Sequence, residues 1–97
     1  MDEFAEQFEQ RLLDSIRDSI ELGYNPTRFR DMLNTWGGVG VAQRLVASGE
    51  IQDGIKKLVA MGHPELSMES IMLEPQFTVL FTAGELEAAQ WRLNQLM

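Results

Sequence analysis

The segment "EPQFTVLFTAGELEAAQWRL", residues 74–93, decides between an all-helical fold and one that contains a sheet. Its apolar run, Phe77 to Phe81, leans toward strand, yet it stands directly before a strong helix start. Thr82 followed three residues later by Glu85 is a capping box, in which each residue bonds the other's backbone amide. Phe81 then precedes the cap and Leu86 falls at the fourth helical position, the pair that forms a hydrophobic staple. A lone strand is not stable, and no second run offers itself as a partner. Phe77, Val79, Leu80 and Phe81 therefore read as an extended apolar strap that docks the last helix onto the core. In that helix Leu86, Ala89, Leu93, Leu96 and Met97 share a face. Trp91 lies about 140° from Leu86 on a helix turning about 100° per residue. It reads either as cover for a core edge, meeting helix 1, or as an interface anchor, since Trp is over-represented at binding hot spots.

The rest of the chain carries helical periodicity. Phe4, Phe8, Leu12, Ile16 and Ile20 recur every four residues with Leu13 beside them, which predicts a helix of about twenty residues ending near Gly23. Fourfold spacing drifts by about 40° per step on a 3.6-residue helix. The apolar stripe must therefore wrap across the core, the preferred reading, or leave its first two turns projecting with Phe4 and Phe8 as an exposed patch. Asn25 and Pro26 suit the N-cap and first position of a second helix, whose buried face is Phe29, Met32, Leu33 and Trp36. The glycines at 37, 38 and 40 stop it. A third helix carries Val41, Ala42, Leu45 and Val46 and ends at Ser48-Gly49. A fourth places Ile51, Ile55, Leu58 and Val59 inward, with Gly62 as its cap. After a turn at "HPEL", Ser67 caps a short fifth helix with Met68, Ile71 and Met72 inward, and Pro75 keeps it short. The expectation is one all-α domain over residues 1–97: a compact bundle of five or six helices with a long N-terminal helix.

Composition narrows the function classes. The 97 residues carry no cysteine and a formal charge of −7. A disulfide scaffold and cysteine-ligated zinc are excluded. The acidic start "MDEFAEQFEQ" does not read as a secretory signal, and no apolar run reaches the ~20 residues of a bilayer span, so a cytoplasmic, non-membrane protein is expected. Charge is uneven. Residues 1–24 hold seven acids against Arg11 and Arg17, whereas residues 25–64 hold five cations (Arg28, Arg30, Arg44, Lys56, Lys57) against three acids. Such a balance gives no general attraction for nucleic acid or anionic membrane, and would attract a basic partner.

Catalytic signatures are missing. His63, the single histidine, precedes Pro64 in a turn and has no partner for the common zinc sets. "GGVGVAQRL" has the look of a phosphate loop but lacks the GK[ST] of a P-loop and the third glycine of G-x-G-x-x-G, so its glycines read as a helix–helix turn. The paired acids Glu6/Glu9, Asp14/Asp18 and Glu85/Glu87 read as solvated faces rather than positioned acid–base groups. "RFRDMLNTWGGVGVAQRL" has helix-turn-helix proportions, with only Gln43 and Arg44 as base readers, which is thin against the flanking negative charge. No enzyme activity, cofactor, metal or small-molecule ligand is indicated.

The blocks "YNPTRFRDML", "GGVGVAQRL", "GIKKLVAMG", "LSMESIMLEPQF" and "LFTAGELEAAQWRL" occur in one order. Over residues 24–93 they resemble a family of short bacterial helical proteins or modules with no settled activity. The shared features are a tyrosine-x-proline helix start, a glycine-glycine-valine turn, and a leucine-phenylalanine-threonine-x-x-glutamate final cap. Met61 stands where that pattern has a charged residue, and Glu65-Leu66-Ser67 replaces an acid-leucine-threonine. The resemblance implies an all-helical fold and a neighbourhood of restriction or defence genes, and it brings no catalytic residues. The functional expectation is a non-enzymatic protein-interaction module, binding a protein partner or a second copy through Phe4, Phe8 or Trp91. The first alternative is an acidic inhibitor that imitates DNA phosphates through a face including Asp14 and Asp18. The second is weak nucleic-acid binding through residues 28–57.

Overall fold

A computed structural model describes residues 2–97. Five α-helices follow one another: α1 (Glu3–Glu21), α2 (Thr27–Ala47), α3 (Asp53–Ala60), α4 (Met68–Met72) and α5 (Ala83–Leu96), with 3-10 turns at Pro64–Leu66 and Thr78–Leu80. Among the described residues there is no strand. Their radius of gyration is 12.2 Å and the longest dimension 34 Å, so α1, at ~1.5 Å per residue, runs nearly the length of the body.

The apolar stripe of α1 wraps the core. Phe8, Leu12 and Ile16 are buried, and only its ends, Phe4 and Ile20, stay half exposed. Phe8 is the pivot. Its ring meets Phe77 at 5.4 Å and Phe81 at 5.2 Å between centroids, both edge to face, the arrangement that the ring quadrupole favours. The segment before α5 is thus anchored at its two ends. Between them it closes into a 3-10 turn, and Val79 at its crest is exposed, not docked as the strap reading had it. The capping box of α5 is formed: Glu85 N–H donates to Thr82 Oγ1 at 3.1 Å, and Thr82 N–H to Glu85 Oε1 at 2.9 Å. Ser67 likewise caps α4, accepting from Ser70 N–H.

The glycine run separates two helical stretches that meet at a sharp kink. Gly37 takes φ +75°, ψ 173°, outside the helical region, so the expected second and third helices are both present, meet at this kink and are numbered together as α2. A break of this kind strips the following amides of their intrahelical carbonyls. Glu9 of α1 meets that need, its Oε1 accepting from Gly38 N–H at 2.9 Å. The close approach requires glycine: a Cβ on Gly38 would lie 3.0 Å from Glu9 Cα and 3.2 Å from Phe8 Cδ2. Glu9 is therefore a cap supplied by another helix, not a member of a solvated acid pair. The bend also ends the buried face of α2. Leu33 is buried, but Trp36 is 43% exposed and is covered instead by Arg44, whose guanidinium carbon lies 4.3 Å from the ring centroid. The start of α2 is one residue later than its sequence suggests, with Pro26 at the cap position and Asn25 Oδ1 accepting from Arg30.

The C-terminal end of α2 is completed by α5. Arg92 is 1% exposed. Its Nη2 donates to Leu45 O at 3.1 Å and Val46 O at 3.0 Å, its Nη1 to Ala88 O at 3.1 Å, and its Nε to Glu50 O at 2.9 Å. A cation at a helix C-terminus meets both the orphan carbonyls and the negative end of the dipole. Two stability outcomes are expected in denaturant titrations. Arg92→Ala should cost about 3–5 kcal/mol, because it leaves a buried acid, Glu69, and two carbonyls without their cation. Gly38→Ala should cost about 1–3 kcal/mol by overpacking against α1; a neutral result would show that the α1–α2 seam is looser than described.

Candidate functional site

The five residues singled out from sequence do not form one patch. Phe8 is fully buried against Phe77 and Phe81 and so is removed from any surface; the aromatic cluster claims it for the core. Phe4, one turn earlier, is 46% exposed. Asp14 and Asp18 lie on the outer side of α1, where Arg17 stands 3.7 Å from a carboxylate oxygen of each and Gln10 Nε2 donates to Asp14. The acidic face is therefore partly neutralised within its own helix.

Trp91 projects from the side of α5 opposite its buried residues Ala89 and Leu93. The two geometries expected for a structural Trp, a core edge or a seat on α1, fit poorly. α5 packs mainly on α4, α2 and α3, and the indole is 48% exposed. Among the described residues it has neither an aromatic partner nor a cation over its ring, in contrast to Trp36. About one turn N-terminal on the same face is Glu87, exposed, with Gln95 a turn beyond.

The nucleic-acid reading loses candidates. Arg44 lies over Trp36, and Arg30 is bonded to Asn25. His63 sits in its turn with Nδ1 2.9 Å from Glu65 Oε2, and this contact holds the Glu65 carboxyl below its ordinary range. Among the described residues no three acids or histidines converge as a metal site would require, and no helix is long and apolar enough to cross a membrane.

Sequence periodicity missed a half-open cavity of about 460 Å³ bordered by the second half of α1, the start of α2, α3 and the turn into α4. Apolar walls come from Leu12, Ile16, Phe29 and Met32, and the polar lining includes Ser15, Ser19, Tyr24 and Glu69. Ser15 Oγ donates to Leu66 O and Ser19 Oγ to Ser15 O, so both serines are satisfied within the fold. Glu69 is different. It is 3% exposed, and its nearest cation, Arg92 Nε, stands 4.0 Å from Oε2. The guanidinium's own bonds go to four carbonyls. Burial accordingly pushes the Glu69 carboxyl above its ordinary value near 4.5, against the opposing pull of its own backbone amide and Arg92. The signal in the sequence was slight: an acid at the second position of a short helix reads as an exposed first-turn acid.

A raised native pKa means that the folded chain keeps a proton the unfolded chain has released. Stability from this group is therefore lost as pH rises from the unfolded value of about 4.3 through the native one. Glu69→Gln lacks this loss. Its stability relative to wild type should improve as pH rises above about 4 in matched denaturant melts, and a worsening would contradict the assignment.

Comparison with models of known families, with curated proteins and with solved structures finds no match to this chain.

Proposed function

We propose that the protein is a non-enzymatic interaction module that binds another protein through the outward face of α5, with Trp91 as its anchor. The observation that carries this reading is the half-exposed indole on the side of α5 away from the core. Packing does not require an apolar residue there, and a large amphipathic ring costs little conformational entropy to fix in a partner's pocket. Phe4, Trp36 and Val79 add exposed apolar area elsewhere, but Trp36 is stacked by Arg44 and Phe4 belongs to the first turn of α1. The net charge of −7 supports a partner of basic character met in the cytoplasm. The resemblance of residues 24–93 to bacterial helical modules supports a setting among restriction or defence systems. The acidic-inhibitor reading is weaker, since Arg17 sits between Asp14 and Asp18.

The test has two parts. Trp91→Ala should leave stability within about 0.5 kcal/mol, as expected of a surface change, whereas Phe8→Ala should cost about 3–5 kcal/mol. A large loss at Trp91 would make the ring structural and end the proposal. Light scattering at ~50 mM and ~500 mM salt then reads association. A salt-insensitive dimer that Trp91→Ala dissolves identifies a second copy as partner. A monomer at both salts directs the search to a basic protein, captured by wild type and not by Trp91→Ala.

A further inference from the structure

The cavity beside Glu69 has the size of a small-molecule site, for which roughly 300–1,000 Å³ is usual. Its chemistry is one-sided. Charged residues of the lining are the acids Glu50, Asp53 and Glu69 against the single cation Arg28. The buried member of this set, Glu69, meets its one cation at 4.0 Å, while Arg92 spends its hydrogen bonds on the Leu45, Val46, Ala88 and Glu50 carbonyls. A cation placed next to a buried carboxyl interacts with it strongly, because the low local dielectric enlarges the attraction. The walls offer apolar contact through Leu12, Ile16, Phe29 and Met32. A chamber with apolar walls on one side and acids on the other suits one class of molecule, a small organic amine with a hydrophobic body.

We propose that the cavity between α1, α2 and α3 binds a small amphipathic amine, its ammonium beside Glu69 and its apolar body along Leu12, Ile16, Phe29 and Met32. The site is separate from the Trp91 face and does not depend on the interaction reading.

Three probes with one apolar body test the chemistry: 4-phenylbutylamine, 4-phenylbutanol and 4-phenylbutyrate, each titrated into the full chain and followed by backbone amide NMR shifts. The amine should shift amides around Ile16, Ser19, Phe29 and Glu69 and bind about tenfold more tightly than the alcohol, equivalent to about 1.4 kcal/mol. The carboxylate should bind more weakly than either. Glu69→Gln should bring the amine down to the alcohol's affinity while leaving alcohol binding in place, which shows that the cavity has survived the substitution. Should Glu69→Gln fail to fold, Asp53→Asn, at an exposed position, should still reduce the amine's advantage two- to threefold. Equal affinity for amine and alcohol, preference for the carboxylate, shifts confined to residues outside the cavity, or no binding by any probe would each overturn the proposal.

Discussion

The Arg92 guanidinium joins parts of the chain that are far apart in sequence: the last turn of α2, the Glu50 carbonyl in the following loop, the preceding turn of its own helix, and Glu69 at the start of α4. A buried cation is costly unless its donors are met, and here four carbonyls meet them. Two of those carbonyls, Leu45 and Val46, lie at the helix end, where Leu45 O also accepts from the Ser48 amide and hydroxyl. Each side of the contact therefore removes the other's penalty. The arrangement fixes where α5 lies along α2, brings α4 under both, and leaves Glu69 buried at the wall of the cavity. The position of that wall follows from the arginine.

A second constraint acts in the middle of α2. The bend at Gly37 redirects the helix so that residues 38–47 can pack on α1 and α5, and the absence of a side chain at Gly38 allows α1 to approach to backbone distance. Glu9 closes the gap by bonding Gly38 N–H. The same bend lifts Trp36 out of the core, where Arg44 covers it. Helix α1 can wrap across the whole core because its central apolar residues, Phe8, Leu12 and Ile16, find this bent surface on one side and α4 on another.

What the sequence disclosed were features whose signals are local. The Thr82–Glu85 box, the Ser67 cap, the glycine termini of α1 and α3, the inward Met68, Ile71 and Met72, and the long first helix all follow from spacing within a few residues, and the structure has them. Arg92 carried no sign of burial in the sequence, because an arginine's burial depends on carbonyls more than forty residues away. Glu69 and the cavity were invisible for the same reason, being formed by elements brought together only in the fold. Trp36 and Val79 were placed inside by periodicity that took no account of a kink and a 3-10 turn. Phe8 was offered as a surface residue because periodicity cannot say which turns of a long helix are covered.

Helix α2 draws the partners at both ends of its second half from elsewhere, a carboxylate from α1 at Gly38 and a guanidinium from α5 at Leu45 and Val46. Fraying is normally a local event at a helix terminus, but at these ends it would require α1 or α5 to leave as well. The opening of residues 38–47 is thereby tied to the cooperative unfolding of the whole chain, so the slowest-exchanging amides belong in this stretch after the bend rather than in the unbroken α1.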